Sequence, residues 1–117
     1  MAAVKVTVNV EVDGEPVKGF PYVRRFEPVD RESFDLTLPT NALFVNLPTT
    51  GQISPFQFLF FQALGAAMAV KLRGDGTQVT LNKGGFILVV DSSDLAGTTV
   101  QNNSGSSAKA VGMAAGV

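Results

Sequence analysis

The carboxylates are the side chains of this sequence best suited to chemistry, and they occur in two groups. Asp91 and Asp94 flank two serines, a spacing at which both could offer oxygen ligands to a calcium ion. Asp and Ser also bond their own backbone in turns, and a capped turn is the favoured interpretation. The second group comprises Asp30, Glu32 and Asp35. Arginines lie among and beside them, which favours a solvated salt-bridge network over a catalytic carboxylate pair.

The absence of His and Cys excludes most catalytic mechanisms. Without them the chain has no disulfide, no thiolate zinc site and no nucleophile activated by imidazole. We therefore predict that it is not an enzyme and that it has no catalytic residue, no cofactor and no bound metal. Nine Lys and Arg against ten Asp and Glu give a net charge of -1. A chain with this charge balance lacks the excess of basic side chains that binding to nucleic acid or to an anionic membrane surface requires. Neither is therefore expected as a partner.

Two short motifs have ordinary structural explanations. Arg73 begins an Arg-Gly-Asp tripeptide, which integrin receptors recognise, but Gly and Asp at this position are typical of a hairpin turn. Asn102 begins an Asn-Asn-Ser glycosylation sequon, which matters only in a secreted protein. The N-terminus lacks a basic region followed by an apolar one, so we expect no signal peptide. The apolar residues 56–70 are fewer than the roughly 20 that span a bilayer.

The elements that position these residues are predicted to be short β-strands. Residues 4–13 alternate valine with polar side chains, which is typical of a half-buried strand. After a turn at 13–16, residues 17–26 are predicted to return as the second strand of a hairpin. Residues 27–33 are expected to form a loop, and residues 62–72 could alternatively form a short helix. The remaining predicted strands are 34–38, 42–47, 56–63, 66–73, 77–81, 86–90, 97–102 and 107–113.

Eight to ten short strands separated by turn signals predict an all-β fold, a small antiparallel β-sandwich of jelly-roll-like form. A chain of 117 residues is expected to form one domain, 1–117, with extended N- and C-terminal ends. The last 13 residues are mostly Gly, Ala and Ser, a composition that usually frays at a terminus. We expect both ends to be held by neighbouring subunits.

Charge is missing from the middle of the chain. Twelve of the nineteen charged residues lie in the first 35 positions, and none lies between positions 36 and 70. A central strand buried on both sides would explain this gap. The alternative is a subunit contact, because interface cores are depleted in charge and enriched in aromatic residues. We predict that contact at Phe56, Phe58, Leu59, Phe60 and Phe61, and leave open which face of the strand forms it.

The second half of the chain resembles small β-sandwich structural proteins of tailed bacteriophages. The similar elements are an apolar strand from residue 56, the polar hairpin AVKLRGDGTQVTL, the core strand GGFILVV and the closing hairpin TTVQNNSGSSAKAVGMAAG. The resemblance covers about half the chain. It implies a non-enzymatic virion protein that decorates or cements a capsid, or that belongs to a tail, baseplate or fibre.

These observations lead us to expect a capsid decoration or cement protein. It would be made in the host cytoplasm and located in the virion. Its partners would be further copies of itself, with a trimer as one option, and other virion proteins such as the major capsid protein. The alternatives are a tail, baseplate or fibre component and a carbohydrate-binding or adhesin module, although the chain has no Trp to stack against a sugar.

Overall fold

The computed structural model describes residues 3–27, 30–40, 44–47, 53, 57–73, 77–90 and 95–116. Strands account for all the regular structure in these residues. They are β1 (Val4–Val8), β2 (Glu11–Val12), β3 (Glu15–Pro16), β4 (Tyr22–Phe26), β5 (Asp30–Leu38), β6 (Val45–Asn46), β7 (Phe58–Leu64), β8 (Met68–Lys71), β9 (Gln78–Leu81), β10 (Phe86–Val89), β11 (Thr99–Gln101) and β12 (Ala108–Gly116). The predicted all-β class is confirmed.

The eight strands β5 to β12 form two antiparallel sheets with jelly-roll connectivity. The pairs are nested along the chain: β5 pairs with β12, β6 with β11, β7 with β10 and β8 with β9. This nested hairpin folds over on itself to give one sheet in the order β10-β7-β12-β5 and another in the order β6-β11-β8-β9. Two four-stranded sheets connected in this way are the arrangement of a jelly roll. The predicted sandwich is therefore confirmed in its connectivity.

The main core lies between these two sheets. In β7, the side chains of Leu59, Phe61 and Ala63 point into it, because successive residues of a strand face opposite sides of the sheet. The second sheet contributes fully buried Met68 and Val70 from the opposite side. Apolar side chains from the facing sides of both sheets therefore fill the space between them.

The C-terminal segment is a central strand of the first sheet. β12 pairs with β5 on one side and with β7 on the other. Its alanines Ala110, Ala114 and Ala115 are completely buried. Gly112 has no room for a side chain, since a Cβ there would overlap the carbonyl oxygen of Phe60. The small residues are therefore required by crowding between two strands, and this end is held within the chain itself.

The N-terminal hairpin adds a third layer on the outer face of the first sheet. β1 pairs with β4, and the shorter β2–β3 ladder continues the same hairpin beyond them. Asp13 and Gly14 form its two-residue loop, with φ of 52° and 80°, as a type I′ turn requires. Val6 of β1 is buried against Phe58 and Ala115 of the sheet. The sheet β10-β7-β12-β5 is thus covered on both faces over part of its area.

Two local predictions are corrected by the structure. Residues 27–33 were expected to be a loop, but β5 begins at Asp30 and pairs with β12 along its whole length. Its charged side chains are tolerated because β5 lies at an edge of the sheet. Residues 62–72 form the end of β7 and all of β8 rather than a helix, with Gly65 in a left-handed conformation (φ 90°) between them.

Candidate assembly surface

The outer face of the sheet β10-β7-β12-β5 is divided into a polar half and an apolar half. On the β5 side, Asp35 and Lys109 form an exposed ion pair at 3.7 Å. On the β7 and β10 side the side chains are apolar: Phe58, Phe60, Leu88, Met113 and Ala115. The valines of β1 pack against this half only. The apolar half is thus where the sheet can accept another layer.

The hairpin leaves part of the apolar half open. A groove of about 570 Å³ lies between β1 and the sheet. Its lining comprises Val4, Lys5, Val6, Thr7, Val8, Asn9, Phe58, Phe60, Phe86, Leu88 and Met113. These residues include β1 and β10 but none from β4, so the groove opens on the side of β1 away from β4. The ring centroids of Phe86 and Phe60 lie 5.6 Å apart with the rings tilted by 47°, and Phe86 is nevertheless 56% exposed. Most of the side chains that line this groove are apolar.

At the edge of the sheet beside the groove, backbone groups of β10 have no partner strand among the described residues. The Ala63 N–H donates to the Gly85 carbonyl at 3.0 Å. This bond and the register of the two strands determine which residues of β10 form hydrogen bonds with β7. Bonded and non-bonded pairs alternate in an antiparallel ladder, so the next bonded positions on β10 are Ile87 and Val89. The N–H and C=O groups of the residues between them point away from β7. No described strand pairs with that edge.

The other free edges carry polar or charged side chains, and β10 does not. β5 has four charged residues, and β1 and β4 carry Lys5, Arg24 and Arg25. β9 alternates Gln and Thr with apolar residues, and β6 is only two residues long. Charged side chains and short strands are common protections against edge-to-edge association. Among the described free edges, β10 with its sequence Phe-Ile-Leu-Val is the least protected.

The structure separates the predicted contact residues onto two faces. Leu59 and Phe61 have no exposed surface and belong to the core between the sheets. Phe58 and Phe60 lie on the outer face, where Phe58 is 5% exposed and Phe60 lines the groove. Phe56 lies outside the described residues. The proposed subunit contact stays a prediction, and within β7 only the outer face is placed to form one.

Sequence reasoning missed Phe86 and the layer formed by the N-terminal hairpin. The sequence indicates a core strand for the five apolar residues from position 86 to 90, and two of them, Ile87 and Val89, do pack against the main core. The signal that could have identified an unprotected edge is that this run has neither a charge nor a proline. The valine alternation of residues 4–13 predicted a buried face, but not which surface it covers. Val10 and Val12 extend past the sheet and are 40% and 61% exposed.

The remaining motifs do not form a site among the described residues. Asp91 and Asp94, the candidate calcium ligands, lie outside the described residues. Gly74 and Asp75, which follow Arg73, lie outside them as well. Asn102 is 2% exposed, and its amide donates to the carbonyls of Leu38 at 2.8 Å and Ser106 at 2.9 Å. The sequon asparagine is therefore a buried structural link between the end of β5 and the turn before β12.

No group of three His, Cys, Asp or Glu side chains in the described ranges is arranged to hold a metal ion. The acidic residues of β5 are spread along that strand instead. A search of the described residues also finds no helix with the length and apolar character needed to cross a membrane.

No protein-family model matches this chain, and no curated protein matches it either.

Proposed function

We propose that this chain is a non-enzymatic structural protein of a bacteriophage virion, a capsid decoration or cement protein that stabilises the shell through contacts between copies. The observation that carries the proposal is the apolar groove and unprotected β10 edge on a jelly-roll domain. Jelly rolls are common in viral capsid and lectin domains, which is support by analogy of fold. The exposed apolar surface is the physical support, since contiguous apolar surface marks interaction sites.

The N-terminal hairpin supports a second contact, with another virion protein. Its end carries Val10 and Val12 exposed beyond the sheet, with the carboxylates of Glu11, Asp13 and Glu15 around them. Apolar side chains surrounded by charge are the usual composition of an interface core and its rim. In a cement protein such a hairpin would contact the major capsid protein while the jelly roll contacts further copies.

The proposal is tested on purified particles. Virions from the phage whose genome encodes the chain are separated on a density gradient and quantified by mass spectrometry. A decoration protein should be present in numbers comparable to the major capsid protein, because one or more copies occupy each capsomer. Detection in only a few copies per particle would favour the alternative of a tail, baseplate or fibre component. Absence from the particles would refute a virion role.

The lectin alternative has a separate test. Jelly rolls also occur as lectins, so the purified chain is applied to a glycan array. A carbohydrate-binding module should bind a defined group of sugars and lose this binding to free sugar. A decoration protein should give no such binding.

A further inference from the structure

We infer that β10 pairs antiparallel with β10 of a second copy about a two-fold axis, joining two four-stranded sheets into one sheet of eight strands. The inference rests on the self-association part of the proposed function and is independent of the virion role. It names the strand through which copies meet, which the predicted contact at residues 56–61 did not include.

The backbone of β10 is oriented for this pairing. Ile87 and Val89 use their N–H and C=O groups in the ladder to β7, as the phase of that ladder requires. Phe86 and Leu88 therefore point theirs to the free edge. An edge strand with unpaired donors and acceptors is a template for another strand, because each group gains a hydrogen-bond partner without distortion of the sheet.

The side chains are self-complementary in a two-fold arrangement. With the axis at Leu88, this residue meets Leu88 of the partner subunit. On the outer face, Phe86 then meets Val90 of the partner subunit. On the inner face, Ile87 meets Val89 of the partner subunit, so the two main cores become continuous. Each pair joins apolar side chains on the same face of the sheet, as direct opposition in an antiparallel pair requires.

The absence of charge on β10 permits a second copy at this edge. β10 carries no charged side chain, so two copies can approach without like-charge repulsion. At the opposite edge, β5 carries charged residues of both signs, and charged side chains are a common protection against edge-to-edge pairing. Pairing through β10 about a two-fold axis therefore uses the unprotected edge of each sheet and gives a closed pair.

The test compares two lysine substitutions on exposed edge residues. Phe86→Lys places a charge in the proposed interface, opposite Val90 of the partner subunit, whereas Val79→Lys places one on β9, an edge of the other sheet where the side chain is 44% exposed. Sedimentation equilibrium should give the wild-type chain twice its 12.3 kDa mass. Phe86→Lys should weaken the association by about tenfold or more, as for loss of an apolar contact that contributes to an interface. Val79→Lys should leave it unchanged.

A backbone variant and hydrogen exchange separate edge pairing from other contacts. Phe86→Pro removes an N–H that points away from β7, so it should dissociate the pair while circular dichroism reports an intact fold. In the wild-type protein the amides of Phe86 and Leu88 should be as protected as those of Ile87 and Val89. On dilution to the monomer, only the first two should exchange faster.

Three results would overturn the inference. The first is a wild-type chain that is monomeric at all concentrations. The second is a Phe86→Pro variant that is folded and still forms the pair. The third is that the protection of the Phe86 and Leu88 amides does not change with protein concentration. If the variants do not fold, the exchange measurement on the wild-type chain decides alone. If the chain is a monomer and is present in stoichiometric amounts on virions, the β10 pairing is refuted and the virion role stands. If the chain forms the β10 pair but is absent from virions, the pairing stands and the virion role is refuted.

Discussion

Substitution of Phe61 by alanine should measure how much of the fold depends on the buried face of β7. The side chain is fully buried in the core between the sheets, and its ring lies 6.2 Å from that of Phe34. Truncation of a buried Phe to Ala costs about 3–5 kcal/mol, from lost apolar transfer and the cavity left behind. For a domain of this size that corresponds to a fall in melting temperature of roughly 12–20 °C.

A Phe-to-Ala substitution at a residue on the outer face of the sheet is the matched control. Phe86→Ala removes an equal side chain that is more than half exposed, so the loss should be below about 1 kcal/mol. Both variants are titrated with urea and followed by circular dichroism, while sedimentation reports their mass. The core interpretation is refuted if Phe61→Ala is as stable as the wild type but loses oligomeric mass. That result would place Phe61 in a subunit contact, as the sequence allowed.

Three further substitutions test individual structural features by the urea midpoint. Gly112→Ala would drive a methyl group into the Phe60 carbonyl oxygen and should cost about 1–3 kcal/mol or more, so an unchanged midpoint would contradict the crowding at β12. Asn102→Ala removes the amide that donates to the Leu38 carbonyl and should cost about 1–3 kcal/mol, so an unchanged midpoint would contradict this structural role of the amide. Gly14→Ala forces a side chain into a left-handed conformation and should cost about 1 kcal/mol, whereas a stabilised variant would exclude the type I′ turn.

Local periodicity made most of the strands predictable. Residues 78–81 and 86–89 form strands inside the predicted ranges, because alternation and flanking Gly turns are properties of neighbouring residues. The Asp13–Gly14 turn was predictable for the same reason, since few other pairs accept positive φ at both positions. Jelly-roll form followed from the number and spacing of strands, although the nested pairing itself is visible only in three dimensions.

Long-range placement was not predictable from composition. A strand was predicted at 107–113, but its extension to Gly116 and its central place between β5 and β7 were not, because Gly and Ala have little propensity for strands. The charge-free stretch at 36–70 was open to two explanations, because burial on two faces and contact with another subunit require the same residue types. The structure assigns the inner face, with Leu59 and Phe61, to the core of the chain itself.

The third layer explains why so much apolar sequence serves one small domain. A sheet covered on both faces needs two apolar surfaces, and β7 supplies both, with Phe61 on one and Phe58 on the other. Most of the apolar surplus is therefore used within the chain, and the groove beside Phe86 remains for contact together with the hairpin end at Val10 and Val12. A short edge strand and one groove bury less surface than an obligate interface requires. Association through β10 should accordingly be reversible and should join subunits that are already folded, as the proposed decoration role would require.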